Sequence, residues 1–73
     1  MKPISKEELK KLKSIYEIGI RVKLVKMNDI QAPKIGTLGT VRAVDDIGTV
    51  FVRWDNGSGL GVVYGQDECL ILD

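Results

Sequence analysis

Apolar and polar positions follow two different periods along this chain, and the change comes at Gly19. Before it, Leu9, Leu12, Ile15 and Tyr16 recur at spacings of three and four, with Lys6, Lys10, Lys11 and Lys13 between them. That spacing predicts an amphipathic helix with one apolar stripe. Its start is also marked. In Ser5-Lys6-Glu7-Glu8 the serine hydroxyl is placed to accept from the Glu8 amide while Glu8 reaches back to the Ser5 amide, so the helix should begin near Lys6. A helix this short needs a surface to pack on.

After Gly19 the period is two. Ile20, Val22 and Leu24 alternate with Arg21, Lys23 and Val25, the pattern of a half-buried strand. Residues 27–39, MNDIQAPKIGTLG, have no sustained period but contain Pro33, Gly36 and Gly39, which predicts a long connecting loop. Further strands are expected over residues 40–44, 49–54 and 59–64, then a tight turn at Gly65-Gln66-Asp67-Glu68 and a last strand over 69–72. Five short strands with one long early loop predict a mainly β fold, a small bent antiparallel barrel. Residues 1–17 form its capping helix, plugging one end or lying on one flank, and residues 18–73 form the barrel, in a single domain.

Strand register decides which residues share a face. A two-residue loop at Asn56-Gly57 would pair Trp54 with Gly59 and scatter Leu60, Val62 and Tyr64 onto the face of Arg53. A three-residue loop Asp55-Asn56-Gly57, with Gly57 left-handed, pairs Trp54 with Ser58 and Val52 with Leu60, and collects Val50, Val52, Trp54, Leu60, Val62 and Tyr64 on one side. The second register sorts the residues better. A four-residue loop Asp45-Asp46-Ile47-Gly48 then pairs Ala43 with Val50 and Val41 with Val52 on the same inner side. Thr40, Arg42, Val44, Thr49, Phe51, Arg53, Gly59 and Gly61 fall outside, with Phe51 beside Arg42 in reach of a cation–π contact.

Composition narrows the chemistry. With 73 residues, 44% hydrophobic and 29% charged, the chain falls in the range of globular domains, and a single small core leaves little room for a deep cavity. One cysteine and no histidine remove intramolecular disulfides, multi-thiolate or histidine zinc sites and histidine-based triads. No cofactor and no catalytic residue are expected, and the reading is of a non-enzyme. No apolar run has the length of a signal peptide core or a membrane span, so a cytoplasmic protein without a membrane partner is the expectation. Net charge is +1, but residues 1–26 carry eight Lys or Arg and three Glu, while residues 27–73 carry three Lys or Arg and seven acids. That asymmetry suits either a solvated basic helix or the steering of an anionic partner.

The glycines of Gly57-Ser58-Gly59-Leu60-Gly61 suggest a phosphate loop only superficially, because such loops need a helix N-terminus where this chain predicts a strand. They are read as a turn residue and two sites of bending and close backbone approach. Asp45-Asp46 and Asp67-Glu68 are read as turn residues bonding to backbone, with too few oxygen ligands for a hard cation. Cys69 is read as a small buried residue, and Trp54 and Tyr64 as aromatics that close the core.

Longer segments carry a resemblance. Tyr16 to Val22 fits Tyr-x-x-Gly-x-Arg-Val, Leu24 to Pro33 fits Leu-Val-x-Met-x-Asp-x-Gln-Ala-Pro, and Gly36 to Val41 fits Gly-Thr-x-Gly-Thr-Val. Val44 to Asp46 and Trp54 to Ser58 supply Val-Asp-Asp and Trp-Asp-Asn-Gly-Ser. Over about residues 15–72 the chain resembles a family of small bacterial and phage or mobile-element proteins known only as a domain of unknown function, and departs from its pattern at Lys34-Ile35, Gly59 and Gly61. The resemblance implies an SH3-like barrel and leaves activity open.

The leading expectation is therefore a non-enzymatic interaction module that binds a protein or peptide through Met27, Ile30 and Ile35 of the long loop together with Phe51. The alternative is nucleic-acid binding by Arg21, Lys23, Arg42 and Arg53, with Phe51 stacking and the lysine-rich helix meeting phosphates. Oligomeric state stays open, because Leu9, Leu12 and Ile15 suit packing on the chain's own barrel or on a neighbour's.

Overall fold

The computed structural model describes residues 4–72. Helix α1 spans Lys6–Ile15, and its capping box forms as the sequence predicts: the Glu8 amide donates to Ser5 Oγ at 3.1 Å, and the Ser5 amide donates to Glu8 Oε1 at 3.3 Å. Five strands follow: β1 at Arg21–Lys26, β2 at Leu38–Val44, β3 at Thr49–Trp54, β4 at Val62–Val63 and β5 at Glu68–Ile71. All pairings are antiparallel, in the order β4-β3-β2-β1-β5. The sheet does not close. β4 and β5 are its edges, near each other in space but joined by no ladder among the described residues. α1 lies on the inner side at this opening, where Leu12 joins the core and the Tyr16 hydroxyl donates to the Cys69 carbonyl.

The inner side is apolar because strand alternation puts Val22 and Leu24 of β1, Val41 of β2, Val50, Val52 and Trp54 of β3, Val62 and Cys69 on it, all buried. Trp54 is 1% exposed, and its indole N–H donates to the Leu60 carbonyl at 2.9 Å, so the ring is buried without an orphaned donor. Cys69 is buried as expected.

The three-residue turn forms. The Trp54 amide donates to the Ser58 carbonyl, the Gly57 amide donates to the Trp54 carbonyl, and Gly57 has φ of 94°. Val50 then pairs with Val62, as the same register requires. The expected strand over 59–64 shortens to Val62–Val63, because the Leu60 carbonyl serves the Trp54 indole and residues 58–61 leave the ladder. Tyr64 is a correction: it is exposed, since the chain turns after Val63 and carries the ring outward, where its hydroxyl donates to Glu8.

The β2–β3 pairing departs from expectation above Val41. Val41 pairs with Val52, but the register then shifts so that Ala43 pairs with Phe51 and Val44 with Val50. This bulge lets both Arg42 and Ala43 face outward and brings Val44 against the core, the reverse of the expected placement of Ala43 and Val44. The acid pairs act in turns. Asp45 Oδ1 accepts from the amides of Ile47 and Thr49, and Asp67 Oδ2 accepts from the Val63 amide.

Candidate functional site

The cross-strand pairs place one row of polar side chains over the middle of the outer sheet surface. Arg21 on β1 pairs with Thr40 on β2, which pairs with Arg53 on β3. Arg21 is held there by three contacts: its guanidinium donates to Thr40 Oγ1 at 2.9 Å and, through both terminal nitrogens, to the two carboxylate oxygens of Asp55 at 2.9 and 2.6 Å. This bidentate pair holds the Asp55 carboxyl below its ordinary range, through the hydrogen bonds first and the nearby positive charge after them. Asp55 is thus neutralised from the β1 side. Arg42 and Arg53 are exposed, and neither meets a carboxylate among the described residues.

Thr40, Arg42, Arg53, the edge of Trp54, Asp55 and Gly57 line a shallow cavity of about 450 Å³ on this surface. Beside it stands Phe51, two residues from Arg53 on the same strand and therefore about 7 Å away along it. Phe51 does not pair with Arg42, as the sequence suggested, because the bulge sets it opposite Ala43. On its other side is Gly61, where a Cβ would lie 3.6 Å from the Phe51 ring and 2.5 Å from Thr49 Cγ2. Two residues with almost no side chain flank the ring, and it remains 41% exposed. Close approach accounts for Gly61 as predicted, but not for Gly59, where an added Cβ meets nothing.

Ile35 of the long loop does not join Phe51 in one site, whereas Met27, Asn28 and Asp29 line a cavity with Thr49, Leu60 and Gly61, the last of these beside the Phe51 ring. Met27 is half-buried and packs against the core, following the register shift between Leu24 and Lys26 in the β1–β5 ladder, which resets the alternation just before it. Ile30 is fully exposed and Ile35 largely so. Ile35 precedes Gly36, which lies against the Lys23 side chain at the Leu38 end of β2, whereas Phe51 lies opposite Ala43, five residues and about 16 Å further along that strand. The loop is tied to β1 by its backbone: the Leu24 amide donates to the Thr37 carbonyl and the Gly36 amide to the Leu24 carbonyl.

Of the cations in the nucleic-acid reading, Lys23, Arg42 and Arg53 share the outer surface with Phe51, while Arg21 is engaged by Asp55. The lysine-rich helix sits on the inner side, with Lys13 paired to Asp46 at 2.9 Å, so helix and strand cations do not form one surface. Sequence reasoning missed the Arg21–Asp55 pair, which joins positions 34 apart and has no local signal. It also missed the role of Thr40, legible in retrospect only from its outward parity between two arginines.

A family model described as a domain of unknown function, DUF4314, matches residues 5–72. The chain belongs to this family. The match covers α1 and all five strands, so the DUF4314 domain includes both the outer arginine surface and the helix that fills the sheet opening. No curated protein and no solved structure matches the chain. Among the described residues of this DUF4314 domain, no helix is long and apolar enough to cross a membrane, and no three of His, Cys, Asp and Glu are grouped to hold a metal ion.

Proposed function

We propose that the chain is a non-enzymatic, SH3-like interaction module that binds a protein or peptide on the outer surface of β2 and β3. The strand order, with β1 between β2 and the last strand and a short β4 at the far edge, supports the SH3-like reading. The observation that carries the binding role is Phe51, an aromatic left 41% exposed between Ala43 and Gly61 although the core is already filled by Trp54 and the valines. An uncovered aromatic beside free arginines is the composition of an interface anchor. A lone buried cysteine accords with a reducing, cytoplasmic setting.

The test is a titration of the ¹⁵N-labelled chain with a pool of capped extended peptides and, separately, with single- and double-stranded oligonucleotides at low salt. Amide shifts at Thr40, Phe51 and Arg53 with peptides, abolished by Phe51→Ala, support the reading. Silence with peptides and shifts with oligonucleotides that vanish as salt rises would replace it with nucleic-acid binding.

A further inference from the structure

We infer that the outer surface takes an acidic segment of a protein partner, with carboxylates on Arg42 and Arg53 and an apolar side chain of the same segment on the Phe51 ring. The inference deepens the interaction reading above and rests on it. Its ground is the distribution of charge. Four outward cations lie on β1, β2 and β3, and one acid, Asp55, lies at their end. Asp55 takes both terminal nitrogens of Arg21, which leaves the two arginines nearest Phe51 without a counter-charge among the described residues.

The bulge in β2 makes this arrangement. A regular ladder would put Arg42 against Phe51 and cover the ring. The shift opposes Phe51 to Ala43 instead, and leaves Arg42 as an extra outward residue. Arg53 lies opposite Thr40, whose hydroxyl oxygen already accepts from Arg21, so its proton is free to be donated to a carboxylate. Planar guanidinium groups suit carboxylates through paired N–H donors, and an apolar side chain on Phe51 adds contact that a purely electrostatic partner lacks. A nucleic acid fits less well. Its phosphates call for a longer track of cations than Lys23, Arg42 and Arg53 make, and the lysine-rich helix that would extend the track sits on the other side of the sheet.

The test uses the whole chain and four probes: capped Glu-Leu-Glu-Leu-Glu, the same peptide with glutamine for glutamate, the same with lysine, and oligothymidylate. The glutamate peptide should shift the amides of Thr40, Arg42, Phe51 and Arg53 and bind at least about tenfold more tightly than the glutamine peptide, the worth of one charge-assisted hydrogen bond. The double variant Arg42→Glu, Arg53→Glu alters two exposed residues, and its thermal melt should match that of the unaltered chain. It should lose the glutamate peptide and gain the lysine peptide. Equal binding of glutamate and glutamine peptides overturns the acidic partner while leaving a protein-binding surface. Silence with every peptide, including the mixed pool, overturns both readings. Oligothymidylate binding on this surface without the glutamate peptide also overturns the inference.

Discussion

Gly39 and Trp54 face each other across β2 and β3 with no room between them: a Cβ on Gly39 would lie 2.7 Å from Trp54 Cε3 and 2.5 Å from Val52 Cγ1. The largest core side chain is seated against bare backbone, and the Arg53 carbonyl closes the site at 3.0 Å. No adjustment of a flexible chain end relieves this, because the neighbours are an indole ring, a branched valine and main chain.

Gly39→Ala should therefore destabilise the fold by about 1–3 kcal/mol through overpacking. Urea denaturation followed by Trp54 fluorescence measures the loss. Gly59→Ala, where an added Cβ meets nothing, is the control and should shift the midpoint far less. Equal effects would show that the packing around Trp54 is wrong.

Acid stability should depend on Asp55. Its folded pKa is depressed below the ordinary 3.8 by Arg21, so the stability it contributes is present above that value and is lost as pH falls through the folded pKa. Thermal midpoints should fall as pH drops below about 4, and Asp55→Asn should flatten part of that fall. The remaining slope should shrink in Glu8→Gln, because Glu8 is lowered too, by the hydrogen bonds from Tyr64 and Ser5.

Alkaline stability should depend on Tyr16. Burial first, then the charge and hydrogen bonding of Cys69, push its phenol from 10.0 to about 12. The unfolded chain therefore ionises first, so Tyr16's contribution is full below pH 10 and is lost as pH rises through about 12. Tyr16→Phe should reduce the drop in thermal midpoint across this window. Part of the drop should persist, because burial raises the Cys69 thiol and the Glu8 hydrogen bond raises Tyr64.

Much of the fold was legible because its signals are local. The Ser5–Glu8 box, the alternation in residues 20–25 and the turn closed at Gly57 each depend on residues within a few positions of one another. The candidate site was legible in membership more than in arrangement. Phe51, Arg42 and Arg53 lie on the outer surface as their parity predicts, but their spacing depends on the bulge, and Met27 is half-buried against the core beyond a second register shift.

The sequence by itself determined the helix and its start, the number of strands, the hairpin turn at residues 55–57 and the buried state of Trp54, since each follows from hydrogen bonding and apolar periodicity within a short window. Tertiary structure decided the rest. The sheet opening and the helix lying on it, the pairing of Arg21 with Asp55, the outward swing of Tyr64 and the exposed ring of Phe51 all depend on which distant backbone segment lies alongside. The physical reason is the two-residue period of a strand: one extra residue in a ladder exchanges inside and outside for everything beyond it, and that residue is placed by packing across the sheet.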